Sequence, residues 1–149
     1  MSLKIFEEFL KKGIVKKQTP EKSRSNFLVM DAEKDYKYLL KLVDKMGFDD
    51  LGLNNYVKLC YDILMGLIRA KMTSEGYKAS GFGAHEAEVS YFERIGFPEK
   101  DVQFLNKMRF FRNKILYYGT ILDKEYVEKV IKFTKKNYPV LRKLVGIKK

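Results

Sequence analysis

The chain has 149 residues, with 30 Lys plus Arg against 19 Asp plus Glu and a formal net charge of +11. Its length and 46% hydrophobic content suit one domain around a single core, and 14% aromatic residues argue against disorder. One cysteine, Cys60, excludes a disulfide framework and a Cys-based zinc site; one histidine, His85, excludes two-His metal motifs and a His–His catalytic pair within one chain.

The elements follow in chain order. Leu3–Lys12 reads as a short amphipathic helix with Ile5, Phe6, Phe9 and Leu10 on one side; with a connector it makes residues 1–18 a segment that packs on the main bundle. Glu7 and Glu8 stand where a signal peptide would be apolar, so the expected location is the cytosol. Thr19-Pro20 reads as a cap followed by Pro at the first helical position, opening a long helix that Gly47 stops. Its stripe is Leu28, Ala32, Tyr36, Leu39, Val43 and Met46.

Asp49–Asn55 is polar and caps a second long helix, with stripe Tyr56, Cys60, Ile63, Leu67 and Ala70, which Gly76 ends. Within it Ile63–Ile68 is the most apolar run, fenced by Asp62 and Arg69 and far short of the ~18 residues that span a bilayer, so no membrane is expected. Lys78–Gly83 reads as a loop, and Ala84–Ile95 as a short helix stopped by Gly96-Phe97-Pro98. Gly81 and Gly83 lack the Gly-Lys-Ser/Thr ending of a phosphate loop. The third long helix carries Phe104, Met108, Phe111, Ile115 and Tyr118 and closes at Gly119; Tyr118 falls to the core on this spacing. Asp123 caps the fourth, with stripe Val127, Ile131, Thr134, Tyr138, Leu141 and Val145, and Pro139 should kink or divide it. The expected fold is all-α: one domain, an up-and-down bundle of four long helices with an N-terminal helix and one short extra helix.

The chemistry gathers at the end of the third long helix. Arg109, Asn113 and Tyr117 share a ridge at i, i+4 and i+8, with Arg112 and Lys114 beside it. Two of the chain's six arginines stand here in a sequence that otherwise uses lysine. Arginine grips phosphate or carboxylate with a planar fork, which favours an anion site; the same residues also suit ties between helices through Asp62 or Glu86. Asp62, an acid inside an apolar run, needs a cation, and Arg112 or Arg109 fits that need. His85 reads either as a helix-start residue bonded to backbone or Glu86, or as a ligand for phosphate or base.

The run Arg112-Asn113-Lys114-Ile115-Leu116-Tyr117-Tyr118-Gly119 resembles the signature of the HEPN (higher-eukaryote and prokaryote nucleotide-binding) domains, in which Arg, often Asn, and a few residues later His lie near the end of a bundle helix. The resemblance extends through Leu59–Leu64, Gly76–Ser80, His85–Ala87 and Gly96–Asp101, so that it covers roughly residues 50 to 120, and is strongest to an archaeal branch of that superfamily. It implies a homodimer with RNA or a nucleotide bound in a basic dimer cleft, without a metal. The candidate binding residues are Arg109, Arg112, Asn113, Lys114, Tyr117, Lys78 and His85, with Asp62 in support and no cofactor expected. Active members cut RNA without a metal, some as toxins held by a nucleotidyltransferase partner. Carried over, Arg112 matches the Arg, Asn113 the Asn, and Tyr117 stands in the place of the His. A phenol, with pKa ~10, is a poor base at neutral pH, so the resemblance implies binding first, with metal-independent RNase activity through Arg112, Asn113 and Tyr117 as the alternative. A helical protein-interaction module is the third reading.

Overall fold

A computed structural model describes residues 4–48, 52–119 and 122–146. The elements in order are α1 (Phe6–Lys11), β1 (Val15–Lys17), α2 (Lys22–Met46), α3 (Leu53–Glu75), β2 (Tyr77–Ala79), α4 (Ala84–Arg94), α5 (Glu99–Tyr118) and α6 (Lys124–Val145). The fold is an all-α bundle of four long helices with a short helix at the N-terminus and another between α3 and α5.

Helix α3 is the axis of the core. Its stripe Tyr56, Cys60, Ile63, Leu67 and Ala70 is buried, and so are Val57, Tyr61, Leu64, Met65 and Ile68 on its other flanks. It is wrapped because α2, α4, α5 and α6 all pack against it. Gly66 lets α2 approach closely: a Cβ there would stand 3.6 Å from that of Ala32. Between α2 and α6 the Tyr36 and Tyr138 rings stack 3.7 Å apart, and Arg142 reaches Glu33 at 3.3 Å. The Cys60 thiol is sealed in the core, where burial pushes its pKa up to about 12.

Several expectations are corrected. Helix α2 starts at Lys22 after Glu21, two residues beyond the Thr19-Pro20 pair, because the backbone there is engaged elsewhere: Gln18 N–H bonds Gly76 C=O at 2.8 Å and Glu21 N–H bonds Thr73 C=O at 3.2 Å. The first helix is shorter than Leu3–Lys12, and it packs on α4 and β1 with Phe6 and Phe9 buried while Ile5 stays exposed. Lys78–Gly83 is not wholly loop. Tyr77–Ala79 pairs antiparallel with Val15–Lys17 in the register Val15 to Ala79 and Lys17 to Tyr77. Three-residue strands are too short to show alternation, so only the pairing reveals them.

Met46 is 56% exposed and Tyr118 80% exposed, so neither reaches the core; each is the last residue of its helix. Pro139 does not divide α6, which runs unbroken to Val145. Thr134, Tyr138, Leu141 and Val145 are buried on both sides of it, and that packing outweighs the ~3 kcal/mol penalty of an internal proline.

The stops at Gly47, Gly76 and Gly119 and the Asp123 cap are as expected, the Asp123 carboxylate accepting the Tyr126 N–H at 2.8 Å. The expected polar cap Asp49–Asn55 is corrected in its described part: Leu53–Asn55 already belong to α3, whose N-cap Gly52 has no side chain to cap it, and residues 49–51 lie outside the described residues. Gly76 is required in two ways. Its φ of +83° is left-handed, and a Cβ would sit 2.5 Å from the Gln18 carbonyl oxygen.

Candidate functional site

The turn before α4 and the outer face of α5 enclose an open cleft of about 400 Å³. Gly81, Phe82, Gly83, His85 and Glu86 line it from one side, and Arg109, Arg112, Asn113 and Leu116 from the other. Gly81 (φ +79°) and Gly83 (φ +88°) turn the chain so that Phe82 stands fully exposed at the rim. Four of the residues singled out in the sequence, Arg109, Arg112, Asn113 and His85, therefore share one concave surface.

Each arginine is tied to a helix next to its own. Arg109 donates from Nε to Asn106 Oδ1 at 3.0 Å, and its Nη2 lies 3.6 Å from Glu86 of α4. Arg112 Nε lies 3.3 Å from Asp62 Oδ1 of α3. That pair is in ionic contact but not aligned as a hydrogen bond, and Arg112 Nε is buried without a hydrogen-bonding partner among the described residues. The guanidinium also rides 5.4 Å above the Tyr61 ring. Its two Nη groups have no partner among the described residues.

Beneath the cleft lies a group the sequence reading missed. Arg69 of α3 donates from Nε to Glu88 Oε2 at 2.8 Å and from Nη2 to Oε1 at 3.1 Å, a two-pronged pair with Glu88 of α4. The Glu88 side chain is only 9% exposed. Burial works against the Arg69 charge, but the hydrogen bonds and charge of Glu88 hold its pKa above the usual value. Glu88 Oε1 also lies 3.1 Å from His85 Nδ1. The histidine is thus bonded to Glu88, not to Glu86 or to backbone as expected, because one helical turn of three residues brings Nδ1 over the Glu88 carboxylate. A sequence signal existed in the His-x-x-Glu spacing and the lone Arg69 closing an apolar run; neither is distinctive without knowing that α3 and α4 touch.

Tyr61 sits under this network. Burial, then the Glu88 charge, push its pKa up to about 12 against the pull of Arg69, Arg109 and Arg112, and its hydroxyl has no partner among the described residues.

Other expected site residues fall elsewhere. Lys78 is opposite Lys16 in the β1–β2 pair and lines a separate polar cavity of about 210 Å³ with Arg24, Arg69 and Glu88. It is not among the residues that line the arginine cleft. Lys114 lies 4.9 Å from the Phe110 ring centre, outside the cleft lining. Tyr117 belongs to the α5 backbone, but its side chain lies outside the described residues.

The charges around the cleft balance. Arg69, Arg109 and Arg112 are matched by Asp62, Glu86 and Glu88, so the excess of +11 is carried by lysines on the rest of the surface. Among the described residues there is no cluster of three metal-ligating side chains and no helix long and apolar enough to cross a membrane. No family model, curated protein or solved structure matches the chain.

Proposed function

We propose that this chain binds single-stranded RNA, with one nucleotide seated in the cleft between the Phe82 turn and α5. The observation that carries the reading is the convergence of Arg109, Arg112, Asn113 and His85 with an exposed aromatic ring on one open surface. A phosphate has the free Nη groups of Arg112 as its partner. Phe82 offers an unhindered face for a base, and base–aromatic stacking is worth roughly 1–3 kcal/mol. The Asn113 amide, with both donor and acceptor, suits a base edge or ribose hydroxyl.

Seating a phosphate on Arg112 requires Asp62 to yield. That exchange costs little: Asp62 is 51% exposed, and such pairs contribute about 0–1 kcal/mol. The +11 net charge favours a polyanion over a lone nucleotide, since lysines beyond the cleft then share the backbone. The resemblance to HEPN domains points the same way and adds the homodimer. A nucleotidyltransferase partner belongs to this reading as an expectation only.

A helical interaction module is favoured by a different observation: Phe27, Met30, Tyr38 and Met46 leave apolar surface exposed along α2. A salt titration of fluorescein-labelled oligoribonucleotide binding separates the two. RNA binding gives a linear fall of log affinity with log salt, a shallower slope in Arg112→Ala, and weaker binding with an unchanged slope in Phe82→Ala. Absence of salt-dependent RNA binding sinks the proposal.

A further inference from the structure

We infer that the polar cavity between the start of α2, the end of α3 and β2 is a binding site for the phosphate group of a compact metabolite. The inference does not rest on the RNA-binding reading, since this cavity and the arginine cleft share no lining residue.

Backbone contacts set the walls. Gln18 N–H bonds Gly76 C=O at 2.8 Å and Glu21 N–H bonds Thr73 C=O at 3.2 Å, which lashes the β1–α2 connector across the end of α3. One turn on, the buried Ser25 hydroxyl donates to Ala70 C=O at 2.7 Å and pins α2 to α3. The cavity of about 210 Å³ is therefore formed before any ligand arrives.

Three cations line it: Arg24, Arg69 and Lys78. Arg69 is taken by Glu88, but the other two are not. Five of the chain's six arginines each hold a carboxylate, that of Glu88, Glu7, Glu86, Asp62 or Glu33. Arg24 is the sixth, and it has neither an ion pair nor a hydrogen bond among the described residues. Lys78 stands directly opposite Lys16 in the β1–β2 register, a like-charge pair that weakens the sheet unless an anion lies close. Glu21 also lines the cavity, but it is exposed and pairs with neither cation among the described residues.

A neutral group points the same way. Thr73 is only 7% exposed and lines the cavity, yet its hydroxyl has no hydrogen bond among the described residues. Thr134 shows the usual fate of a buried helical threonine, donating to Val130 C=O four residues back. Thr73 leaves its hydroxyl free for a ligand.

A guanidinium fork, an ammonium and a hydroxyl match the acceptor oxygens and the nearly double charge of a phosphate monoester. Size sets the rest. The cavity falls below the ~300–1,000 Å³ of pockets that enclose drug-sized ligands, so the phosphate carries only a few carbons. Leu28, Met72 and Ala79 give those carbons an apolar wall.

The test titrates the whole chain, isotope-labelled at Met, Ala and Leu methyl groups, with inorganic phosphate and with glycerol phosphate at constant ionic strength. Saturable shifts of the Met72 and Ala79 methyl signals are expected, and the tighter of the two probes tells a free ion from an ester. Arg24→Ala, at an exposed position, should weaken this binding about tenfold or more. Thr73→Val keeps the side-chain shape and should weaken it about tenfold, while the signal of buried Met65 stays in place. AMP should bind at these methyls more weakly than glycerol phosphate. Shifts that do not saturate, shifts confined to Leu116 of the arginine cleft, or equal affinity in wild type and either variant overturn the inference. So does AMP binding at Met72 and Ala79 more tightly than glycerol phosphate.

Discussion

The Asp62 carboxylate lies 3.3 Å from Nε of Arg112 and so joins α3 to α5 at the wall of the cleft. Its sequence context, an acid interrupting an apolar run, points to an orienting group whose loss weakens ligand binding. The geometry argues for the opposite sign: a half-exposed, poorly aligned carboxylate competes with phosphate for the same guanidinium. Asp62→Ala is expected to change stability by no more than about 1 kcal/mol and to raise affinity for RNA. Urea melts and anisotropy titrations at one fixed salt concentration check both; weaker binding in the variant restores the orienting role.

The Arg69–Glu88 pair behaves differently because its carboxylate is buried and held by two hydrogen bonds, although the Arg69 side chain is about one-third exposed. Glu88→Ala removes both bonds and should cost roughly 1–3 kcal/mol, below the full penalty of a buried pair because water reaches the guanidinium left behind. Replacing both residues, as in Arg69→Met with Glu88→Leu, should recover most of that loss. A double variant no more stable than Glu88→Ala in a urea melt would show that the pair is not the source of the penalty.

Alkaline pH provides a third test. Tyr61 is neutral in the fold with its pKa raised to about 12, against about 10 in an unfolded chain, and Cys60 is raised likewise. Between those values the unfolded chain releases protons that the folded chain keeps, so stability is complete below pH ~9 and falls as pH rises toward 12. Tyr61→Phe also removes a buried hydroxyl with no partner among the described residues, so it should be neutral or stabilising at pH 7. Thermal melts from pH 7 to 11 should show a shallower alkaline decline in this variant, by about 1.4 kcal/mol at pH 11. An identical decline in the two proteins would assign the effect to other groups.

Tyr117 is tested through chemistry, not geometry. Tyr117→Phe should cost about 1 kcal/mol of RNA binding if the phenol donates one hydrogen bond. Tyr117→His restores the Arg–Asn–His pattern of the HEPN signature and should raise metal-independent RNA cleavage, with Arg112→Ala abolishing the gain. A Tyr117→His variant that cleaves no faster than wild type counts against the resemblance as a guide to this position.

Association is open to direct measurement. Phe110 and Leu116 on α5 are half-exposed beside the cleft, and Tyr118 ends the same helix in solvent. Apolar surface so placed is expected to meet a second copy, giving a dimer mass by light scattering at micromolar concentration and a monomer in Phe110→Lys. A monomer mass for the wild-type chain would refute this.

The elements were legible in the sequence because each is a local pattern. A four-and-three stripe such as Tyr56, Cys60, Ile63, Leu67 and Ala70 specifies both a helix and its buried side; Asp123 opens a helix through its carboxylate, and Gly76 closes one through its left-handed backbone. The same local rule misplaced Met46 and Tyr118, since a stripe does not say which of its terminal positions a neighbour covers. Of the two outcomes expected at Pro139, division of α6 does not occur, because packing against other helices keeps it whole. At the cleft, Arg109, Asn113 and Arg112 were grouped by helical spacing alone. Only the packing of α3, α4 and α5 brought His85 to the same surface and Arg69 around Glu88, while Lys78 lines a separate cavity. Helical periodicity carries information over one or two turns, whereas the contacts Arg69–Glu88 and Asp62–Arg112 join residues 19 and 50 positions apart (88 − 69 and 112 − 62), and only close packing of separate helices sets those distances.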